Sequence, residues 1–161
     1  MLLLLAAITL PSFSGLRGNS KQKAVADIVR TRVANARARA METGVPHRLA
    51  ISSDGTKIRL TPDVSDGGAS QTGGSNVVVH EDTFDKAVTA RVMNADGVDI
   101  QTSSGDGWIT IATFKPDGTC QEDHDAIVHL KEETFPDLRI QIRSVTGTAR
   151  VLPAQLKGAG P

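Results

Sequence analysis

Cys120 and the run Glu122-Asp123-His124-Asp125 are the residues whose types and closeness could do chemistry. Thiolate, imidazole and carboxylate all ligate divalent cations, and an activated cysteine can act as a nucleophile. The spacing matches no established metal-binding loop, and one cysteine with one nearby histidine leaves a ligand set incomplete. A solvated turn between two strands accounts for the acidic run, and a small, partly buried apolar residue accounts for Cys120. His47, His80 and His129 are scattered, with no paired ligand in sequence. Ser103-Ser104-Gly105 lacks the flanking residues of a nucleophile elbow. The Gly/Ser-rich stretch 62–76 has no lysine or helix start after its glycines, so it reads as an exposed loop rather than a phosphate cradle. The sequence therefore predicts no catalytic residue, no metal site and no cofactor.

The elements that carry these residues come in an uneven order. Residues 1–11 form an apolar run, with ten residues before Pro11, whereas a spanning helix needs about 20. The run also lacks the charged start and small-residue cleavage site of a secretory signal. Either it is the end of a longer hydrophobic helix or it is an exposed stub. Charge is divided as unevenly. Residues 1–44 hold seven basic and two acidic side chains, net +5, and the remainder holds eleven and sixteen, net −5. A basic stem on an acidic head suits a solvated helix face, acidic neighbours or anionic lipid headgroups. With four Phe, one Trp and no Tyr, the core must rest on aliphatic side chains. A single cysteine excludes an internal disulfide.

From Ser14 to Met41 the sequence reads as helix. Val25, Ile28, Val29, Val33, Ala36 and Ala40 recur at three- and four-residue steps and define one apolar stripe. Pro11 is expected to bend any helix that continues from the apolar run. If Gly15 and Gly18 break it, Asn19 or Ser20 can cap a fresh start. Gly44, followed by Val45-Pro46, is expected to end the helix.

Beyond Gly44 the period changes to two. His47–Ser52 and 57–61 flank Ser53-Asp54-Gly55-Thr56, a hairpin signal. Further strands are expected at 77–80, 87–93, 98–102, Trp108–Phe114, 126–131, 138–145 and 149–152. The clearest alternation is Leu138-Arg139-Ile140-Gln141-Ile142-Arg143, with Leu and Ile facing inward. No βαβ rhythm is present, and the end, 157–161, reads as a frayed tail. The fold class is α+β: a long N-terminal amphipathic helix packed on an antiparallel two-sheet β-sandwich head. The division is 1–44, comprising an apolar stub 1–11 and an amphipathic stem 12–44, and 45–161 for the head.

Three stretches carry a family resemblance. Leu10-Pro11-Ser12-Phe13, after the apolar run and before the Ala/Arg-rich helix, resembles the N-terminal region of type IV pilin-like proteins. The run Arg37-Ala38-Arg39-Ala40-Met41-Glu42-Thr43-Gly44-Val45-Pro46 resembles the helix exit of H-type minor pseudopilins and FimT-like minor pilins. Phe114-Lys115-Pro116-Asp117-Gly118-Thr119, followed by Thr146-Gly147-Thr148-Ala149-Arg150-Val151, resembles their C-terminal pattern. The sequence departs from the family in lacking a basic leader, a Gly-Phe junction and the glutamate early in the mature helix. Aligning Pro11 with the family proline places Met1 inside the mature helix, which implies a parent that starts further upstream.

The resemblance implies a structural minor pseudopilin of a type II protein secretion system, near the tip of the periplasmic pseudopilus, with no enzymatic activity. It implies a bacterial parent held in the inner membrane by one pass, N-terminally methylated, with the head in the periplasm. Other pseudopilins or pilins are its expected partners through the N-terminal helix, where Leu2, Leu3, Leu4, Leu5, Ile8, Leu10 and Pro11 supply the packing surface. Burying each large aliphatic side chain is worth roughly 1.5–3 kcal/mol. The alternative is a FimT-like type IV minor pilin acting in pilus assembly or DNA uptake. DNA is a partner only under that alternative. Arg139 and Arg143, sharing a face with Gln141, would then meet phosphates as a ladder, with Arg150 nearby. The acidic head and the scarcity of aromatics for base stacking weigh against it.

Overall fold

A single helix, α1 (Leu2–Thr43), opens the chain and runs without interruption through Pro11, Gly15 and Gly18. The helix break weighed at those glycines does not occur. The structure, a computed structural model, describes residues 2–63, 78–94, 96–100, 107–133 and 135–152, with side chains from Ser20 onward. The apolar side chains expected to form the packing surface at 2–11 thus lie outside the described side chains. Among the described residues no helix is long and apolar enough to cross a membrane.

The predicted stripe is the buried face of α1. Val25, Val29, Val33, Ala36 and Ala40 are fully buried, and Ile28 is half-buried at the margin. Gln22 is also buried, and its amide donates weakly to the carbonyls of Leu130 and Pro136, at 3.4 and 3.3 Å. Ala36 and Ala40 let the helix approach the sheets closely. At the C-terminus Gly44 takes φ +68° and its N–H returns to the Ala40 carbonyl at 3.1 Å, ending the helix as expected.

Eight strands follow: β1 (His47–Ser52), β2 (Lys57–Pro62), β3 (His80–Thr83), β4 (Thr89–Asn94), β5 (Trp108–Phe114), β6 (Ala126–Glu132), β7 (Phe135–Arg143) and β8 (Thr148–Leu152). They form two antiparallel four-stranded sheets, ordered β3-β2-β1-β5 and β4-β6-β7-β8. Leu49, Ile51, Ile58 and Leu60 point inward from the first sheet. Val92, Val128, Leu130, Ile140 and Ile142 do so from the second. These residues and the helix stripe make one continuous core. The fold is therefore α+β, with a helix packed on a two-sheet sandwich.

Two details differ from the sequence expectation. The strand expected at 77–80 begins at His80 and continues through Glu81-Asp82-Thr83; residue 77 lies outside the described residues. Val98-Asp99-Ile100 forms only a single bridge, from Asp99 to Met93, and 101–102 lie outside the described residues.

β3 owes its place to pairing with β2 and to charge. The Asp82 carboxylate accepts two hydrogen bonds from the Arg32 guanidinium, one from Nε and one from Nη2 at 2.9 Å. Lys21 approaches Asp85 at 3.5 Å. The Arg32 and Asp82 side chains are only 19% and 26% exposed, so screening is partial. A double-mutant cycle with Arg32→Met and Asp82→Asn should give a coupling of about 1 kcal/mol. Chemical denaturation measures it; additive single effects would show that the pair does not fasten β3 to the stem.

Candidate assembly surface

Two of the three stretches that carry the sequence resemblance, the helix exit and both halves of the C-terminal pattern, meet at one end of the head. Phe114 ends β5, and the turn Lys115-Pro116-Asp117-Gly118 follows, closed by the Gly118 N–H donating to the Lys115 carbonyl at 2.9 Å. The Asp117 carboxylate accepts from the Thr119 hydroxyl and N–H at 2.7 and 2.9 Å, bonds that hold it below the usual carboxylate range. Gly147, in the β7–β8 turn, lies so near that a Cβ there would stand 2.5 Å from the Gly118 carbonyl oxygen and 3.3 Å from the Phe114 ring. On the helix side, Arg37 and Met41 lie over Gly118. A Cβ on that glycine would meet Arg37 Nε at 3.0 Å and Met41 Sδ at 3.2 Å. Stem exit, β5–β6 turn and β7–β8 turn thus form one junction, which fixes the stem's direction relative to the head.

The acidic run beside Cys120 is absorbed by the fold. Glu122 receives the Thr113 N–H, at 3.0 and 2.9 Å to its two oxygens. Asp125 receives the Ser144 N–H at 3.0 Å and the Gln141 amide at 2.7 Å. Asp123 pairs with His124 at 2.8 Å on the surface. Among the described residues no three His, Cys, Asp or Glu side chains gather as a metal-binding group. Cys120 is buried, and burial, aided by the charges of Glu122 and Asp125, pushes its thiol up to about 12. A raised pKa keeps the thiol protonated through neutral pH. Disulfide-reagent titration at pH 8 should find it slower than a free cysteine by about three orders of magnitude. Unfolding should restore the ordinary rate; a fast reaction in the folded protein would contradict the burial.

The arginines singled out in sequence share one sheet face. Arg139, Gln141 and Arg143 project outward from β7, and Arg150 of β8 stands opposite Gln141 in register. Arg150 Nε donates to Gln141 Oε1 at 2.8 Å, and Gln141 passes a hydrogen bond on to Asp125. Register adds residues that sequence reading did not select. Arg91 of β4 and His129 of β6 align in one row with Arg139, and Lys131 lies one row further along. Burial and the neighbouring Arg139 lower the His129 pKa, against the opposing pull of Asp137 and Asp99. Arg91 approaches Asp99 at 4.0 Å. The period-two alternation of β4 and β6 held the signal for these residues, but the pairing register was needed to join them.

No family model matches the sequence, and no match is found among curated proteins. Solved structures do share the fold. The minor pseudopilin EpsH of the type II secretion system of Vibrio cholerae superposes with a TM-score of 0.59 at 12% identity, over 86% of this chain and 98% of that one. A second structure of EpsH gives 0.59 at 13% identity, over 86% and 99%. The type IV minor pilin FimU of Pseudomonas aeruginosa gives 0.56 at 12%, over 85% and 97%. The chain has the pilin-like fold of these proteins, an N-terminal helix on two antiparallel sheets.

Proposed function

We propose that this chain is a structural subunit of a pilin-like fibre, and specifically an H-type minor pseudopilin of a type II secretion machine. One observation carries the reading. An unbroken helix joins the apolar segment of Leu2, Leu3, Leu4, Leu5, Ile8 and Leu10 to a stem whose other end is locked into the head. Forty-two residues of α-helix extend about 63 Å, whereas the span from Gln22 to Ala40 covers about 27 Å. Such a rod suits lateral packing with like helices, because an apolar helix surface is stable only when covered. In this role the protein is anchored in the inner membrane with its head in the periplasm. Its partners are other pilin-like subunits, and it performs no chemistry on a substrate. Deleting the gene should abolish export of type II substrates while leaving natural transformation intact; normal export after deletion would remove the secretion role.

A second reading, a FimT-like minor pilin that takes part in pilus assembly or captures DNA, draws support from the outward sheet face. Arg91, Lys131, Arg139, Arg143 and Arg150 all belong to it by register. Phosphate contact by such a face gives binding that weakens steeply with salt. A mobility shift that is lost on Arg139→Ala with Arg143→Ala would favour this reading; no shift at low salt would remove its DNA-capture form.

A further inference from the structure

Two arginines and a histidine stand side by side on the outward face of the second sheet. Arg91 of β4 is the register partner of His129 on β6, and His129 is in turn the partner of Arg139 on β7. Directly paired residues point to the same side of a sheet, and neighbouring strands lie about 4.8 Å apart. The two arginine backbones are therefore about 10 Å apart, with the imidazole between them. Like charges placed opposite one another weaken strand pairing, so sheet stability gives no reason for this row.

The next row, toward the junction, is closed by its own hydrogen bonds, from Arg150 to Gln141 and from Gln141 to Asp125. The half-buried His129 ring, by contrast, makes no hydrogen bond among the described residues. The carboxylates that reach it come from the flanks. Asp99 lies beyond β4, bridged to Met93 and 4.0 Å from Arg91, and Asp137 lies two residues before Arg139 on β7. Lys131, two residues along β6, adds a further cation. Burial and Arg139 outweigh the two acids and lower the His129 pKa, so the ring is neutral at pH 7. An anion seated over the row would accept hydrogen bonds from both guanidiniums and favour the imidazolium. Phosphate suits this better than carboxylate. A single guanidinium fork engages both oxygens of a carboxylate, whereas a tetrahedral phosphate has oxygens to spare for three donors.

We propose that Arg91, His129 and Arg139 form a phosphate-binding row in which His129 takes up a proton as the phosphate arrives. The row rests on the DNA-capture reading above for its ligand, and adds to that reading a contact that tightens as the pH falls. The arginines hold the phosphate at any pH, and His129 becomes a charged third donor below neutrality. Bound phosphate raises the affinity of His129 for its proton, so by linkage protonation strengthens phosphate binding.

Fluorescence anisotropy of a labelled duplex DNA tests this, with the full chain in a non-ionic detergent at low, constant ionic strength. The wild type should bind about three- to tenfold tighter at pH 5.5 than at pH 7.5. His124→Gln, at an exposed histidine outside the row, should keep that gain. His129→Gln should lose it while binding like the wild type at pH 7.5, which also shows that the variant folds. An undiminished gain in His129→Gln would overturn the proposal. NMR titration of the His129 ring, with its signal identified by the same variant, separates the two levels. Added tripolyphosphate or duplex should raise its pKa. Duplex binding that leaves the His129 pKa unmoved would sink the row and spare the DNA-capture reading. A pKa raised by tripolyphosphate, with no duplex bound at either pH, would uphold the row and sink DNA capture. No response to either probe would sink both.

Discussion

Gly147→Ala should destabilise the folded chain by about 3–5 kcal/mol and lower its melting temperature by roughly 10–15 °C. Two costs add. The backbone there has φ +60°, a left-handed conformation that an L-residue adopts at about 1–2 kcal/mol. The new methyl would also stand 2.5 Å from the Gly118 carbonyl oxygen, a backbone atom that cannot swing aside. The β5–β6 turn would have to move, and with it the seat of Arg37 and Met41. Gly44→Ala is the matched control. It has a similar φ of +68° but nothing within 4 Å of the added carbon, so its loss should stay near 1 kcal/mol. Thermal and urea denaturation of both variants measure the difference. Equal losses would mean that the junction between the two turns contributes nothing beyond local backbone strain.

Val33→Asp should be at least as damaging, with a loss of about 4 kcal/mol or more, while Ala34→Asp one position along should cost less than about 1 kcal/mol. Val33 is 2% exposed and part of the continuous core, so a new carboxylate there is taken out of water, and Arg30 and Arg37, one helical turn away on either side, offset only part of that cost. Ala34 lies on the exposed face of the same turn of helix. The contrast between neighbours isolates the packing of the stem on the head from helix propensity, which changes at both positions. Limited proteolysis of the stem gives a second measure: cleavage should accelerate in Val33→Asp alone. Equal behaviour of the two variants would show that the stem is not part of the core.

Much of this fold was legible because local chemistry and tertiary structure agree. The stripe from Val25 to Ala40, the Gly44 stop and the alternation from Leu138 to Arg143 each follow from a period that matches what is buried. β3 was hidden because His80-Glu81-Asp82-Thr83 has no apolar alternation. It is a half-exposed edge strand fixed by β2 and by Arg32, partners that lie outside its own sequence. Pro11, Gly15 and Gly18 suggested a bend or break that one continuous helix does not show at its glycines. The junction was legible as an order of motifs but not as a contact, since nothing in the sequence states that Gly118 and Gly147 touch. In the same way, alternation marks Arg91 and His129 as outward residues, but only the register sets them beside Arg139. The acidic run at Cys120 was expected as a solvated turn, but only Asp123 and His124 of it are exposed, and Glu122 and Asp125 are half-buried and turned to backbone donors.

The central claim is that the greasy leading segment works as a filament-packing surface on a rigid stem. Its most direct test is complementation of the deletion strain with a chain carrying Leu4→Asp and Ile8→Asp, scored by export of secreted proteins and by piliation. The account predicts that the wild-type gene restores the lost activity and that the double variant does not, although its head resists protease like the wild type. Full restoration by the double variant would contradict it.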